Sequence, residues 1–150
     1  MHLERLTEFS IYLDQRPGEL AGILDTFAAT GVALDGFSVS EHQGRGLVRL
    51  VGGPVDAIRA FGEGLTERGL GPVIESEVMA ADIDTRPSLL RDLATALADN
   101  GFNGRYAYVI RPGTTRGARC VLRVDELDRA IETVEAMDWP NGHRESPDEG

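Results

Sequence analysis

Cysteine, aromatic residues, basic charge and long apolar runs are all scarce in this chain, and each scarcity removes a class of function. The single cysteine, Cys120, excludes an intrachain disulfide and fits a reducing compartment. Lys and Arg together number 15 against 25 Asp and Glu, a net charge of −10. A chain of that sign is a poor match for a nucleic-acid backbone or an anionic membrane. RNA recognition by a sheet needs aromatic platforms in basic surroundings, and aromatics make up only 6% here. No uncharged apolar stretch approaches the ~20 residues of a membrane span, and Met1-His-Leu-Glu-Arg opens no basic-then-apolar leader. A cytoplasmic location is expected.

Catalytic signatures are equally thin. His2, His42 and His143 fall in a terminus, a turn and a tail. No Cys/His set has zinc spacing, no G-x-x-x-x-G-K phosphate loop is present, and no nucleophile–base–orienter set stands out. The expectation is a non-enzymatic protein with no catalytic residues, no metal and no cofactor.

What is present is one pattern written twice. Arg16-Pro17 recurs as Arg86-Pro87, Leu20 as Leu90 and Gly31 as Gly101, each seventy positions on. Ala57-Ile58 recurs as Ala130-Ile131 three positions later still, and RPGTTRG (Arg111 to Gly117) is the longer turn that absorbs the difference. In the first copy FSIYL (Phe9 to Leu13) reads as a strand. Leu20, Ile23, Leu24, Phe27 and Ala28 then stripe one helix face. Val32 to Glu41 and LVRLV (Leu47 to Val51) flank the turn HQGRG. Val55, Ile58, Phe61 and Leu65 stripe a second helix, and PVIES opens a fourth strand.

The second copy repeats the order. Glu77 to Ile83 is a strand, and Leu90, Leu93, Ala94 and Leu97 mark a helix. Arg105 to Ile110 and Arg119 to Val124 form a hairpin, and Leu127, Ala130, Ile131, Val134 and Met137 mark the last helix. Each copy is β-α-β-β-α-β, and the fold class is α+β: two ferredoxin-like units packed side by side. Residues 5–76 form the first unit and 77–138 the second, with 139–150 a flexible acidic tail. The segment after Met137, DWPNGHRESPDEG, is too rich in Pro, Gly and acid for a strand, so the second unit lacks a regular last strand. An open sheet edge is a liability, and HLERL at the N-terminus or a partner chain is expected to cover it.

IYLDQRPGELAGIL, GVALDGFSVSEHQGRGLVRLV, VMAADIDTRPSLLRDLATALADNGFN, RYAYVI and VLRVDELDRAI together resemble the ACT domain family, and specifically free-standing proteins made of two ACT domains. The resemblance spans about residues 5 to 137. It implies a regulatory module that binds a small ligand, most often an amino acid, at the interface of ACT units. It also implies a homodimer and an unidentified protein partner that reads the bound state. The other reading it allows is a regulatory subunit of a biosynthetic enzyme such as acetolactate synthase. The two copies are not equal: Ala33 stands where the family often has Asn, Asn103 is kept, and Ser88 replaces the glycine found at Gly18.

The candidate ligand site is the strand-to-helix corner Asp14, Gln15, Arg16, Pro17, Gly18, Glu19 and Leu20, with Ser38, Ser40 and Asn103 as further candidates. A helix N-terminus offers unpaired N–H groups and partial positive charge to a carboxylate. Gly18 allows close approach to the backbone, Pro17 sets the turn, and Asp14 is placed to accept from an ammonium group. Pro-Gly is equally a good structural corner without any ligand. Ser38 and Ser40 share one face of their strand, whether it lines a site or meets solvent.

Overall fold

A computed structural model describes residues 1–84, 86–110, 117–137 and 139 of the chain. The elements run β1 (Leu3–Leu13), α1 (Glu19–Ala28), β2 (Ala33–His42), β3 (Arg45–Gly53), α2 (Val55–Glu67), β4 (Val73–Asp82), α3 (Pro87–Asp99), β5 (Gly104–Ile110), β6 (Arg119–Val124) and α4 (Leu127–Glu135). They make two compact units, one of residues 5–78 and one of residues 1–4 with 79–150. The boundary therefore falls inside β1 and inside β4.

In the unit of residues 5–78 the strands lie in the order β2-β3-β1-β4, the ferredoxin-like arrangement. β3 pairs antiparallel with both neighbours, setting Leu13 opposite Gly46 and Ser38 opposite Arg49. At one end of β4 the Tyr12 N–H donates to the Pro72 carbonyl at 3.1 Å, and at the other Arg5 pairs with Glu77 at 2.9 Å. Alternation puts Phe9, Ile11, Leu13, Val48 and Leu50 on one face of the sheet, where α1 and α2 cover them with Ile23, Phe27, Ile58, Phe61 and Leu65. Phe27 and Phe61 meet edge to face at 5.1 Å and join the two helices.

The second unit has the same order with an outsider in the last place. β5 and β6 form the hairpin, β4 pairs with β6, and residues of β1 lie beyond β4. The Asp82 N–H donates to the His2 carbonyl at 3.3 Å. Leu3 is buried with Met79, Leu122, Leu93 and Val134, and Arg119 bridges Glu4 at 2.7 Å and Asp82 at 3.0 Å. The N-terminal residues thus take the last strand position of this unit, one of the two covers that the sequence allows for its edge. Trp139 packs on this core and donates its indole N–H to the Val134 carbonyl at 3.2 Å. The remainder of the expected tail lies outside the described residues.

The sequence runs the first unit's last strand almost directly into the second unit's first strand, from Pro72 to Ile83, and Val73–Asp82 is indeed one strand, β4, with no Gly or Pro to break it. One helix phase differs from the sequence reading. In α3 the buried set is Leu89, Leu93, Ala96 and Leu97, with Leu90 only partly covered and Ala94 exposed. Pro87 opens that helix at its first turn, and this phase aims Leu89 inward.

Cys120 is fully buried in β6, and burial pushes its thiol up to about 11. The reactive thiolate is therefore suppressed at neutral pH. We expect no reaction of the native protein with a disulfide dye at pH 8 and stoichiometric reaction after denaturation; rapid labelling of folded protein would contradict this packing.

Candidate functional site

The corner between β1 and α1 turns on Gly18, at φ +85°, which stands as the N-cap of α1 with no side-chain cap. A Cβ built there meets nothing within 4 Å, so the backbone angle, not crowding, calls for glycine. The Arg16 N–H donates to the Asp14 carbonyl at 2.9 Å and the Glu19 N–H to the Arg16 carbonyl at 3.2 Å, which closes the turn internally. In the second unit Arg86 is the extended N-cap and Pro87 is already helical. The glycine-to-serine change between the copies accompanies a different entry into the helix, and the two corners are not equivalent.

Charge converges on the first corner. Arg16 Nη2 lies 2.9 Å from Asp14 Oδ2, and its Nε lies 3.7 Å from Glu19 Oε2. The Glu19 carboxylate also accepts the Asp14 backbone N–H at 3.3 Å. Arg45 reaches in from the start of β3. Its Nη2 is 3.7 Å from Asp14 Oδ1 and donates to the Gly71 carbonyl at 2.9 Å, with its guanidinium 5.7 Å from the centre of the Tyr12 ring. Arg45 was legible only as part of the turn HQGRG. What brings it to Asp14 is the register that sets Gly46 opposite Leu13, a pairing no local signal reveals.

Side chains of Asp14 and Arg16 are 55% and 73% exposed, so these ion pairs each contribute only about 0–1 kcal/mol and exchange readily with an incoming charge. Two guanidiniums and a helix N-terminus suit a carboxylate, and Asp14 and Glu19 suit an ammonium. The structure thus gathers Asp14, Arg16, Gly18 and Glu19 into one cluster. Gln15 and Pro17 are exposed on the turn, and Leu20 is partly buried against the core.

The remaining candidates stand elsewhere. Ser40 lies opposite Leu47, which lies opposite Tyr12, so one cross-strand row on the helix-free face leads from Ser40 to the strand end beside the corner. Ser38, Arg49 and Ser10 form the next row. Asn103 belongs to the other unit, where its carbonyl accepts the Asp125 N–H at 3.2 Å. The hydrogen bond from Arg105, with Asn103 adding to it, holds the Asp125 carboxyl below its ordinary range. Among the described residues no group of three or more His, Cys, Asp or Glu is placed to hold a metal ion, and no helix is long and apolar enough to cross a membrane.

Comparison with solved structures supplies the context for this geometry. The chain superposes on protein BT0572 from Bacteroides thetaiotaomicron with a TM-score of 0.73 at 21% identity, covering 89% of this chain and 88% of that one. It matches the ligand-free regulatory subunit of aspartate kinase from Thermus thermophilus with a TM-score of 0.63 at 14% identity, over 90% and 96% of the two chains. The fold is the ACT fold.

A third match is E. coli aspartokinase III, crystallised with lysine and aspartate. Its TM-score is 0.52 at 17% identity, over 89% of this chain and 31% of that one. The present chain therefore corresponds to about a third of that enzyme. No protein-family model and no curated protein matches the sequence. The ACT relationship is one of fold, carried by strand order and helix placement.

Proposed function

We propose that this protein is a non-enzymatic regulatory module that binds an amino acid at the β1–α1 corner. The observation that carries the reading is the charge layout there: Arg16, Arg45 and the open start of α1 for an α-carboxylate, Asp14 and Glu19 for an α-ammonium. The named neighbours support it, since two are a regulatory subunit of aspartate kinase and an aspartokinase crystallised with lysine and aspartate. Binding regulates only where the ligand prefers one state of the protein, and a homodimer or a partner protein would read that preference.

A ligand present at ~100 times its Kd adds about 2.7 kcal/mol to the folded state. For a chain of this size that corresponds to a rise in Tm of about 5–10 °C. Thermal unfolding in the presence of each of the twenty amino acids is expected to show one selective rise. Asp14→Ala and Arg45→Gln are expected to abolish the rise while leaving the ligand-free Tm within about 2 °C, because exposed ion pairs stabilise little. Gly18 is a poorer test position, since its left-handed backbone strains any branched residue. No rise with any amino acid would remove the reading and leave the corner a structural turn.

The second reading is a regulatory subunit of an amino-acid biosynthetic enzyme. It is favoured by the 96% coverage of a separately crystallised aspartate kinase regulatory subunit. Stable co-purification of a catalytic chain with the tagged protein from its own cells would select it over the free-standing module.

A further inference from the structure

We infer that the β5 edge of the second unit is a self-association surface, on which β5 of a second copy of this chain pairs antiparallel across a two-fold axis at Tyr108. The surface is separate from the β1–α1 corner and stands whether or not that corner binds a ligand. β5 ends the sheet order: β6 lies on one side of it and, among the described residues, no strand lies on the other. An edge strand of this kind points every second N–H and C=O away from its neighbour, toward any strand that can approach.

The side chains on this edge continue the core. Val109 stands opposite Cys120 and Ala107 opposite Leu122, and both partners belong to the apolar core of the unit. Ala107 and Val109 therefore extend two core rows by one strand, beyond what the helices cover. Val109 is 53% exposed, more than any other large hydrophobic residue among those described. Tyr106 and Tyr108 turn to the opposite face, are only half-buried and have partners of their own.

Charge and shape select the occupant. A chain of net charge −10 repels its own copies wherever acid meets acid. Tyr106 to Ile110 carries no charge and no proline, and Arg105 just before it is held by Asp125 at 2.6 Å. The irregularity in the β5 register lies between Gly104 and Tyr106 and leaves Tyr106 to Ile110 regular. The opposite edge, β2, is guarded as edges of monomers usually are: Asp35 and Glu41 are exposed on it. Two copies thus meet at β5 without opposing acids, whereas a basic partner finds no acid there to recognise. With the axis at Tyr108, Val109 faces the partner's Ala107 and Ala107 faces the partner's Val109, so each exposed valine meets a small residue and the contact is self-complementary. An axis at Ala107 would set Val109 against the partner's Arg105 instead.

The test is sedentation-equilibrium ultracentrifugation of the full chain, which is expected to show a dimer. Val109→Glu, at an exposed position that the fold of one chain tolerates, should raise the dimer Kd by at least about tenfold, because it buries an unpaired charge at the new strand pair. Val39→Glu on the β2 edge makes the same change in residue and net charge and should leave the Kd within about twofold. Cross-linking reads the register independently. Ala107→Cys protein mixed with Val109→Cys protein should form a disulfide-linked dimer on mild oxidation, since the two positions are directly opposed at a distance that a disulfide spans. Either variant alone should cross-link far less, because its own copies lie on the diagonal about 7–8 Å apart. Cys120 is buried and does not compete. A monomer at all concentrations, an unchanged Kd for Val109→Glu, equal weakening by Val39→Glu, or no excess of cross-linked dimer in the mixture would each overturn the inference.

Discussion

Replacing Gly52 with alanine is expected to lower the melting temperature by roughly 6–12 °C, from a loss of about 3 kcal/mol. Gly52 lies in β3 opposite Leu34, beside the irregularity where the β2 register shifts between Leu34 and Gly36. A Cβ at Gly52 would stand 2.2 Å from the Ala33 carbonyl oxygen and 3.3 Å from the Leu34 Cα. Both neighbours are backbone, so no rotamer change relieves the clash; β2 must retreat from β3. The cost therefore falls at the upper end of the overpacking range. Gly53→Ala is the matched control. A Cβ there meets nothing within 4 Å, and the same gain of a methyl group should shift Tm by no more than about 2 °C. Calorimetry on the two variants decides the matter, and equal melting of both would mean that β2 does not approach β3 as described.

Deleting Met1–Glu4 is expected to be more damaging and more local. It removes Leu3 from the second unit's core, the His2 carbonyl that receives the Asp82 N–H, and the Glu4 partner of Arg119. Loss of a buried leucine alone costs about 2–5 kcal/mol. The edge of β4 is also left without its neighbour, a state prone to association. Hydrogen exchange should show lost protection at Met79 to Ala81 and their β6 partners, while β1–β3 amides around Phe9 and Leu50 keep most of theirs. Leu3→Ser should give the same pattern at smaller amplitude. Uniform loss across both units, or none, would count against the N-terminal residues acting as the second unit's last strand.

Much of this fold was readable because it is local. Ile23 and Phe27 in α1, and Ile58, Phe61 and Leu65 in α2, fall on the faces that their spacing announces, since a helix of fixed pitch maps sequence onto one stripe. The short apolar runs LVRLV in β3 and RCVLRV in β6, each following a turn, announced the hairpins. The phase of α3 was less legible: Leu89 and Leu90 are both apolar, and only docking against the sheet selects Leu89. The near-continuity of β4 was legible, because no Gly or Pro interrupts Val73–Asp82. At the site, Asp14, Gly18 and Glu19 are near in sequence and were visible together. Arg45 was not, because it arrives through strand pairing.

The sequence alone determined the repeated order of strands and helices and the acidic composition that disfavours polyanionic partners. These follow from periodicity, composition and turn chemistry, which act over a few residues at a time. Tertiary structure decided which segment completes the second unit and which charges meet at the corner. Residues 1–4 join residues 79–150, and Arg45 joins Asp14, across separations that no local rule spans. Such contacts depend on register and burial, in which one backbone row finds its partner only when the hydrophobic faces on both strands point the same way.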